Sequence, residues 1–459
     1  MPVLQAPRAW LPQGWAGDVR IEIDDQGWIT EVAPETPDDG AQHMVGAVVP
    51  GMANLHSHAF QRAMAGLTER AVGPREDFWS WRGTMHRFAA ALVPDQVEAI
   101  AAQLYVEMVK AGYTGVAEFH YLHHGPGGRR YDALEELSLR VVAAARAVGL
   151  AITHLPVLYQ RDGFTSEPPR DGPLARFASS ADEVLQIGAG VASAHAGDPD
   201  VAVGLAIHSL RAVPEAAMHD ALAGLAALNP SAPVHIHVAE QVKEVEDCLA
   251  TLGARPVAWL LDHAEVDGRW CLVHATHMDA GEVEGMAATG AVAGLCPATE
   301  ANLGDGLFAL PDYLAAGGTF GIGSDSHISV DPLEELRLLE YGQRLVHRRR
   351  AVAADDLEPS TGLRLYTGAV DGGAQALGRR TGHIAPGYRA DLVVLDPVAP
   401  PIVDQPDHHL FDALVFSGGG RRVRDVMVGG RWVVRDGHHR EERQILDAYR
   451  EAVAGLIAA

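Results

Sequence analysis

The stretch VVPGMANLHSHAFQRAMAGL, Val48 to Leu67, sets two histidines, His56 and His58, one residue apart behind an apolar run. On a β-strand, residues i and i+2 share a face, so both imidazoles can reach one point in space. Neutral imidazole is a common zinc ligand, which makes a metal ion the natural occupant of that point. A lone His-x-His is more often a surface or core pair. The reading therefore depends on what the rest of the chain brings to the same place.

Apolar runs near 47–54, 114–119, 150–158, 201–207, 233–238, 270–275, 291–296 and 318–323 have the length and composition of buried strands. Helical segments such as PDQVEAIAAQLYVEMVKAG and PLEELRLLEYGQRL lie between them, and several begin at proline or aspartate and end at glycine. Eight strands alternating with helices predict an α/β fold, a (β/α)8 TIM-type barrel over residues 49–381. An open doubly wound sheet is the alternative, but no Gly-x-Gly-x-x-Gly turn follows the first strand. Strand-like pieces also stand at both ends of the chain: VRIEI and WITEVA early, ADLVVLD, RVRDVMVGG and RWVVRDG late. They predict a small β-sandwich domain built from residues 1–48 and 382–459, the second part ending in a helix.

Barrels of this kind do their chemistry at the C-terminal ends of the strands. The first strand ends at His56 and His58, the second in EFHY with His120 and Tyr121, and the fourth in IHSLR with His208 and Arg211. The fifth ends in HIHVAE with His235, His237 and Glu240, the sixth in VHATH with His274 and His277, and the eighth in GIGSDSH with Asp325 and His327. His56, His58, His237 and Asp325 are the predicted metal ligands, and three histidines with one aspartate suit Zn²⁺. His235 shares a face with His237, but His237 lies nearer the strand end. Glu240 is the predicted proton carrier between the attacking water and a leaving nitrogen. The competing reading makes it a surface glutamate opening the next helix. His274 is placed to orient the water or polarise the reacting carbon, and Asp325 doubles as a base. Only two lysines occur, Lys110 and Lys243, and neither stands where a carboxylated lysine would bridge two metals, so one metal is expected.

The chain has 459 residues, 47% of them hydrophobic, enough for a large core. A net charge of -24 argues against nucleic acid or an anionic membrane as partner, and obliges any anionic ligand to be met by local arginines. Three cysteines without paired spacing, no signal-peptide pattern and no long apolar run predict a cytoplasmic protein.

His56-x-His58, His237-x-x-Glu240, His274 and Asp325 together resemble the mononuclear deaminase branch of the amidohydrolase superfamily. The segment GHIAPGYRADLVVLD looks like that superfamily's return to its small β domain. NLHSHAFQRAMAGLTE, with FWSWR after it, is similar to the formimidoylglutamate deiminase family in particular, and the resemblance covers nearly the whole chain. It implies one zinc per subunit, a homodimer, and hydrolysis of N-formimino-L-glutamate to N-formyl-L-glutamate and ammonia in histidine breakdown. By matching motif positions it implies Gln61, Arg82, Tyr121, His208 and Arg211 as the substrate-binding set. Two guanidiniums and a phenol suit a small-molecule dicarboxylate. The nearest alternative is a ring deaminase or chlorohydrolase of the same superfamily, acting on a nucleobase or triazine and stacking it on Phe78, Trp79 or Trp81. A non-catalytic scaffold would predict a damaged metal set, and the set is complete. REDFWSWR, 75–82, reads as a lid over the site, and HYLHH, 120–124, as a loop lining the pocket mouth.

Overall fold

The structure is a computed structural model describing residues 2–36, 40–70, 77–169, 171–418 and 420–457. Its barrel strands are Met52–Ser57, Tyr113–His120, Ala151–Leu158, Leu205–Ile207, Val234–Val238, Trp270–His274, Val292–Leu295 and Thr319–Ile322, with Val201–Val203 as a short prelude to the fourth. Each pairs in parallel with the next. A bridge between Ser57 and Asp325 brings the last back to the first. Helices cover the outside, so the strands are buried on both faces and read as apolar runs rather than alternating ones.

The run near 47–54 divides between two sheets. Val48–Pro50 pairs antiparallel with Leu392–Leu395, and the barrel strand starts at Met52 and continues to Ser57. Between them, Gly51 N donates to Asp391 O at 2.9 Å. The consequence for the site is direct, because His56 belongs to the strand itself and His58 to the first residue beyond it.

The terminal segments form a second, mainly antiparallel sheet. Its order runs His438–His439, Arg431–Arg435, Val423–Val428, Leu392–Leu395, Val48–Pro50, Val3–Leu11, Gly14–Ile23, Ile29–Ala33. Leu4, Val19, Ile21, Leu392 and Met427 belong to a core of its own, separate from the barrel's. The helix Glu442–Ile457 follows. Among the described residues, no helix is long and apolar enough to cross a membrane.

Candidate active site

Closure of the barrel builds the candidate metal-binding end of the site. Asp325 N donates to His56 O at 3.0 Å, and His58 N donates to Asp325 O at 3.3 Å. These backbone bonds set the side chains of the candidate ligands against one another. His56 Nε2 lies 3.1 Å from His58 Nε2 and 3.0 Å from His237 Nε2. Asp325 Oδ1 lies 3.4 Å and 3.3 Å from the first two. Zinc bonds of about 2.0–2.1 Å to a tetrahedral set place donor atoms roughly 3.3 Å apart, close to these four separations. His58 Nδ1 is 2.8 Å from Phe119 O and His237 Nδ1 is 2.9 Å from His208 O, which leaves each Nε2 lone pair facing the centre. Burial, aided by the neighbouring imidazoles, holds His56 and His237 well below the ordinary histidine value. Burial lowers His58 too, against the pull of Asp325. All three are therefore neutral, the form that binds metal.

The second candidate group among the described residues, His56 with His274 and Asp325, falls at the same locus. His235 shares its face with His237 but sits one layer deeper, where Nε2 bonds to Ala376 O at 2.8 Å.

Glu240 and His274 border the cluster. Glu240 Oε1 is 3.7 Å from His274 Nε2, and burial pushes its carboxyl up to about 7. His274 is raised to about 10: burial opposes its charge, but Glu240, Glu300 and Asp325 surround it with carboxylate. Its Nδ1 is 3.2 Å from Glu300 Oε1 and its Nε2 3.9 Å from Asp325 Oδ2. The role of opening the next helix falls to Glu244, not Glu240. The Glu244 carboxylate accepts from Ala239 N at 3.1 Å and Glu240 N at 3.0 Å. Ala239, His274, Ala275, Asp325 and His327 all have positive φ, between 43° and 67°. Non-glycine residues adopt that region at a cost, and here they crowd the ends of the fifth, sixth and eighth strands.

A cleft opens above the cluster. His58, His237, Glu240, His274 and Asp325 line its floor side, and all five expected substrate residues, Gln61, Arg82, Tyr121, His208 and Arg211, line the same cleft. His56 lies fully buried beneath. Gln61 Nε2 donates to the Tyr121 hydroxyl at 2.7 Å. Arg82 Nη2 donates to the Tyr159 hydroxyl at 2.9 Å and to Asp162 Oδ1 at 2.5 Å. Both guanidiniums approach the Trp79 ring, with Cζ 5.8 Å away for Arg82 and 5.7 Å for Arg211. Phe78 and Trp81 line the cleft as well. Residues 75 and 76 of the expected lid lie outside the described residues. From Asp77 the segment starts the helix Phe78–Ala91, with the Asp77 side chain accepting from Trp79 N and Ser80 N.

One expectation is met only in part. Of the HYLHH segment, Tyr121 lines the cleft, whereas the three histidines turn away from it. The strand alternation turns Phe119 toward His56 and sends His120 the other way, where it meets His154 and His123. His123 and His124 bond to the carbonyls of Val157 and Ala178. His327 stands behind the cluster, where its Nε2 accepts from His58 N at 3.2 Å. Sequence reasoning also passed over the ends of the third and seventh strands. The third leads to Tyr159 and Asp162, the seventh through the helix Pro297–Leu303 to Glu300. The strand-end rule itself was the signal that could have found them.

Residues 47–433 match the amidohydrolase family, and residues 1–43 match the N-terminal domain of formimidoylglutamate deiminase HutF. Formimidoylglutamate deiminase of Pseudomonas aeruginosa is 51% identical over 462 residues, covering 100% of both chains. A crystal structure of an amidohydrolase from Brucella melitensis superposes with a TM-score of 0.93 at 46% identity, covering 100% of each chain. An adenosine deaminase from Xanthomonas campestris with bound zinc shares the fold at a TM-score of 0.81 and 22% identity, covering 100% of this chain and 98% of its own.

Proposed function

The chain belongs to the amidohydrolase family, and within it to the formimidoylglutamate deiminases, and from that membership we propose that it hydrolyses N-formimino-L-glutamate to N-formyl-L-glutamate and ammonia, a step of histidine degradation. The observation that carries the substrate is the pair Arg82 and Arg211, held in one cleft against a hydrolytic cluster. A ligand with two carboxylates and one formimino group can bring its carboxylates to the guanidiniums and its carbon to the cluster.

His56, His58, His237 and Asp325 would hold one zinc ion per subunit. Zinc bound there supplies a Lewis acid that lowers the pKa of water toward neutrality. The remaining work belongs to side chains. Glu240 takes a proton from the attacking water and delivers it to the formimino nitrogen, a task suited to a carboxyl near 7. His274, held between Glu240 and Glu300, orients the water, and Asp325 doubles as a base toward it. The C–N bond breaks, ammonia leaves, and the new formyl oxygen derives from water. The proposal extends to a homodimer in the cytoplasm, and three buried free thiols suit a reducing setting.

The test is ammonia release by the zinc-loaded protein from N-formimino-L-glutamate, guanine and cytosine. Release from the formimino acid alone is expected, with kcat/KM falling about 10²-fold or more in Arg82→Met and in Arg211→Met. Release from the ring compounds alone would overturn the dicarboxylate reading.

A further inference from the structure

Asp162 holds the guanidinium that a substrate carboxylate needs. Its Oδ1 accepts from Arg82 at 2.5 Å, while its backbone carbonyl accepts from Arg211 Nη1 at 3.3 Å. The two ends of the ion pair are unequal. The Arg82 side chain is 11% exposed, whereas that of Asp162 is 45% exposed. Arg82 is further fixed by the Tyr159 hydroxyl and by the Trp79 ring. One partner is thus anchored in the wall of the cleft, and the other can turn into water by rotation about its own side-chain bonds.

We propose that Asp162 is an internal competitor for Arg82: its carboxylate pairs with the guanidinium and must yield it when a substrate carboxylate binds. This rests on the dicarboxylate reading above. Charge explains the exchange. Arg82 and Arg211 bring two positive charges, and Asp162 offsets one of them. A ligand with two carboxylates offsets both and leaves Asp162 as a surplus negative charge beside its own. Like charges in a partly desolvated wall repel, and the exposed member is the one that leaves. Binding through Arg82 therefore carries the free energy of breaking one existing ion pair, and the measured affinity is reduced by the fraction of molecules in which Asp162 has moved aside. Asp162 also keeps two neighbouring guanidiniums compatible before the ligand arrives. A residue that merely oriented Arg82 would act in the opposite sense, because its loss would weaken binding.

The experiment uses the full-length protein as wild type, Asp162→Asn and Asp162→Glu. Steady-state kinetics give kcat and KM for N-formimino-L-glutamate, and titration calorimetry gives Kd for glutarate, a dicarboxylate with no reacting group. In Asp162→Asn both KM and the glutarate Kd should fall about two- to fivefold, the range of one partly exposed ion pair, with the change falling on KM rather than kcat. Asp162→Glu, which keeps the charge, should return both toward wild type. A rise in KM and Kd in Asp162→Asn, or no change in either, overturns the proposal. Absence of wild-type turnover would instead count against N-formimino-L-glutamate as substrate, and the glutarate series would still read the exchange at Arg82.

Discussion

Glu240 and His274 show how residue chemistry divides across 3.7 Å. Burial drives the Glu240 carboxyl toward neutrality, while three carboxylates keep the His274 imidazole charged. Glu240 stands outside the four closest donors, so its loss should leave metal binding intact. Glu240→Gln is expected to lower kcat about 10²- to 10⁴-fold, the usual worth of general acid–base catalysis, with the zinc content of the purified variant unchanged by metal analysis. Full turnover in a zinc-replete variant would remove Glu240 from proton transfer. The sequence made Glu240 and the His-x-His pair legible because both lie at fixed offsets from apolar strands. Asp162 and Glu300 stand farther beyond the ends of the third and seventh strands, where the same rule is weaker. They stand at loop and short-helix positions whose contacts with Arg82 and His274 depend on three-dimensional closure, and carboxylates in such positions are ordinarily solvated.

Elements impose that closure. The eight strands were readable as apolar runs because parallel strands are buried on both faces. Their ends were less so: the first run splits at Gly51 between two sheets, a decision made by pairing partners far along the chain. The join between the first and eighth strands turns on Gly323. A Cβ there would lie 2.7 Å from His56 Cβ and 2.9 Å from His56 N and O. Glycine is required by proximity, since only hydrogen fits between the strand carrying Asp325 and the one carrying His56. Gly323→Ala should push these strands apart, destabilise the fold by about 1–3 kcal/mol as overpacking does, and weaken zinc binding in step. Denaturant midpoints and competitive chelator titration check both. Unchanged zinc affinity at unchanged stability would show that the join tolerates a methyl group and that closure does not set the ligand spacing.

On the scale of the whole molecule, the barrel is joined to the sheet made from both chain ends by a shared apolar core that includes Val393, Leu395 and Val426, and one buried carboxylate adds an ionic link. Asp200, 1% exposed, stands just before the fourth barrel strand. Its Oδ1 accepts from Arg389 Nη2 at 2.6 Å, its Oδ2 accepts from Arg146 Nη1 at 3.1 Å, and Arg431 pairs with the same oxygen. Arg146 belongs to the barrel's helical layer, whereas Arg389 and Arg431 come from the terminal sheet, so the cluster crosses the boundary. Arg389 is itself 2% exposed and lies over the Trp28 ring. Removing the carboxylate charge leaves that guanidinium buried without its counter-ion, a loss of about 3–5 kcal/mol in comparable sites. Burial alone would raise the Asp200 carboxyl, but Arg389, Arg431 and Arg379 hold it below the ordinary aspartate value. A group whose folded pKa is depressed contributes stability in full above its unfolded value, near pH 3.9, and loses it as pH falls through the lower folded value. Asp200→Asn should therefore be much less stable than wild type at pH 7, and the gap should narrow as pH drops below about 4, where wild type loses the same charge. Guanidinium or urea midpoints at the two pH values measure the gap. A difference that stays constant with pH would mean that shape and hydrogen bonding at Asp200, not its charge, fasten the sheet to the barrel.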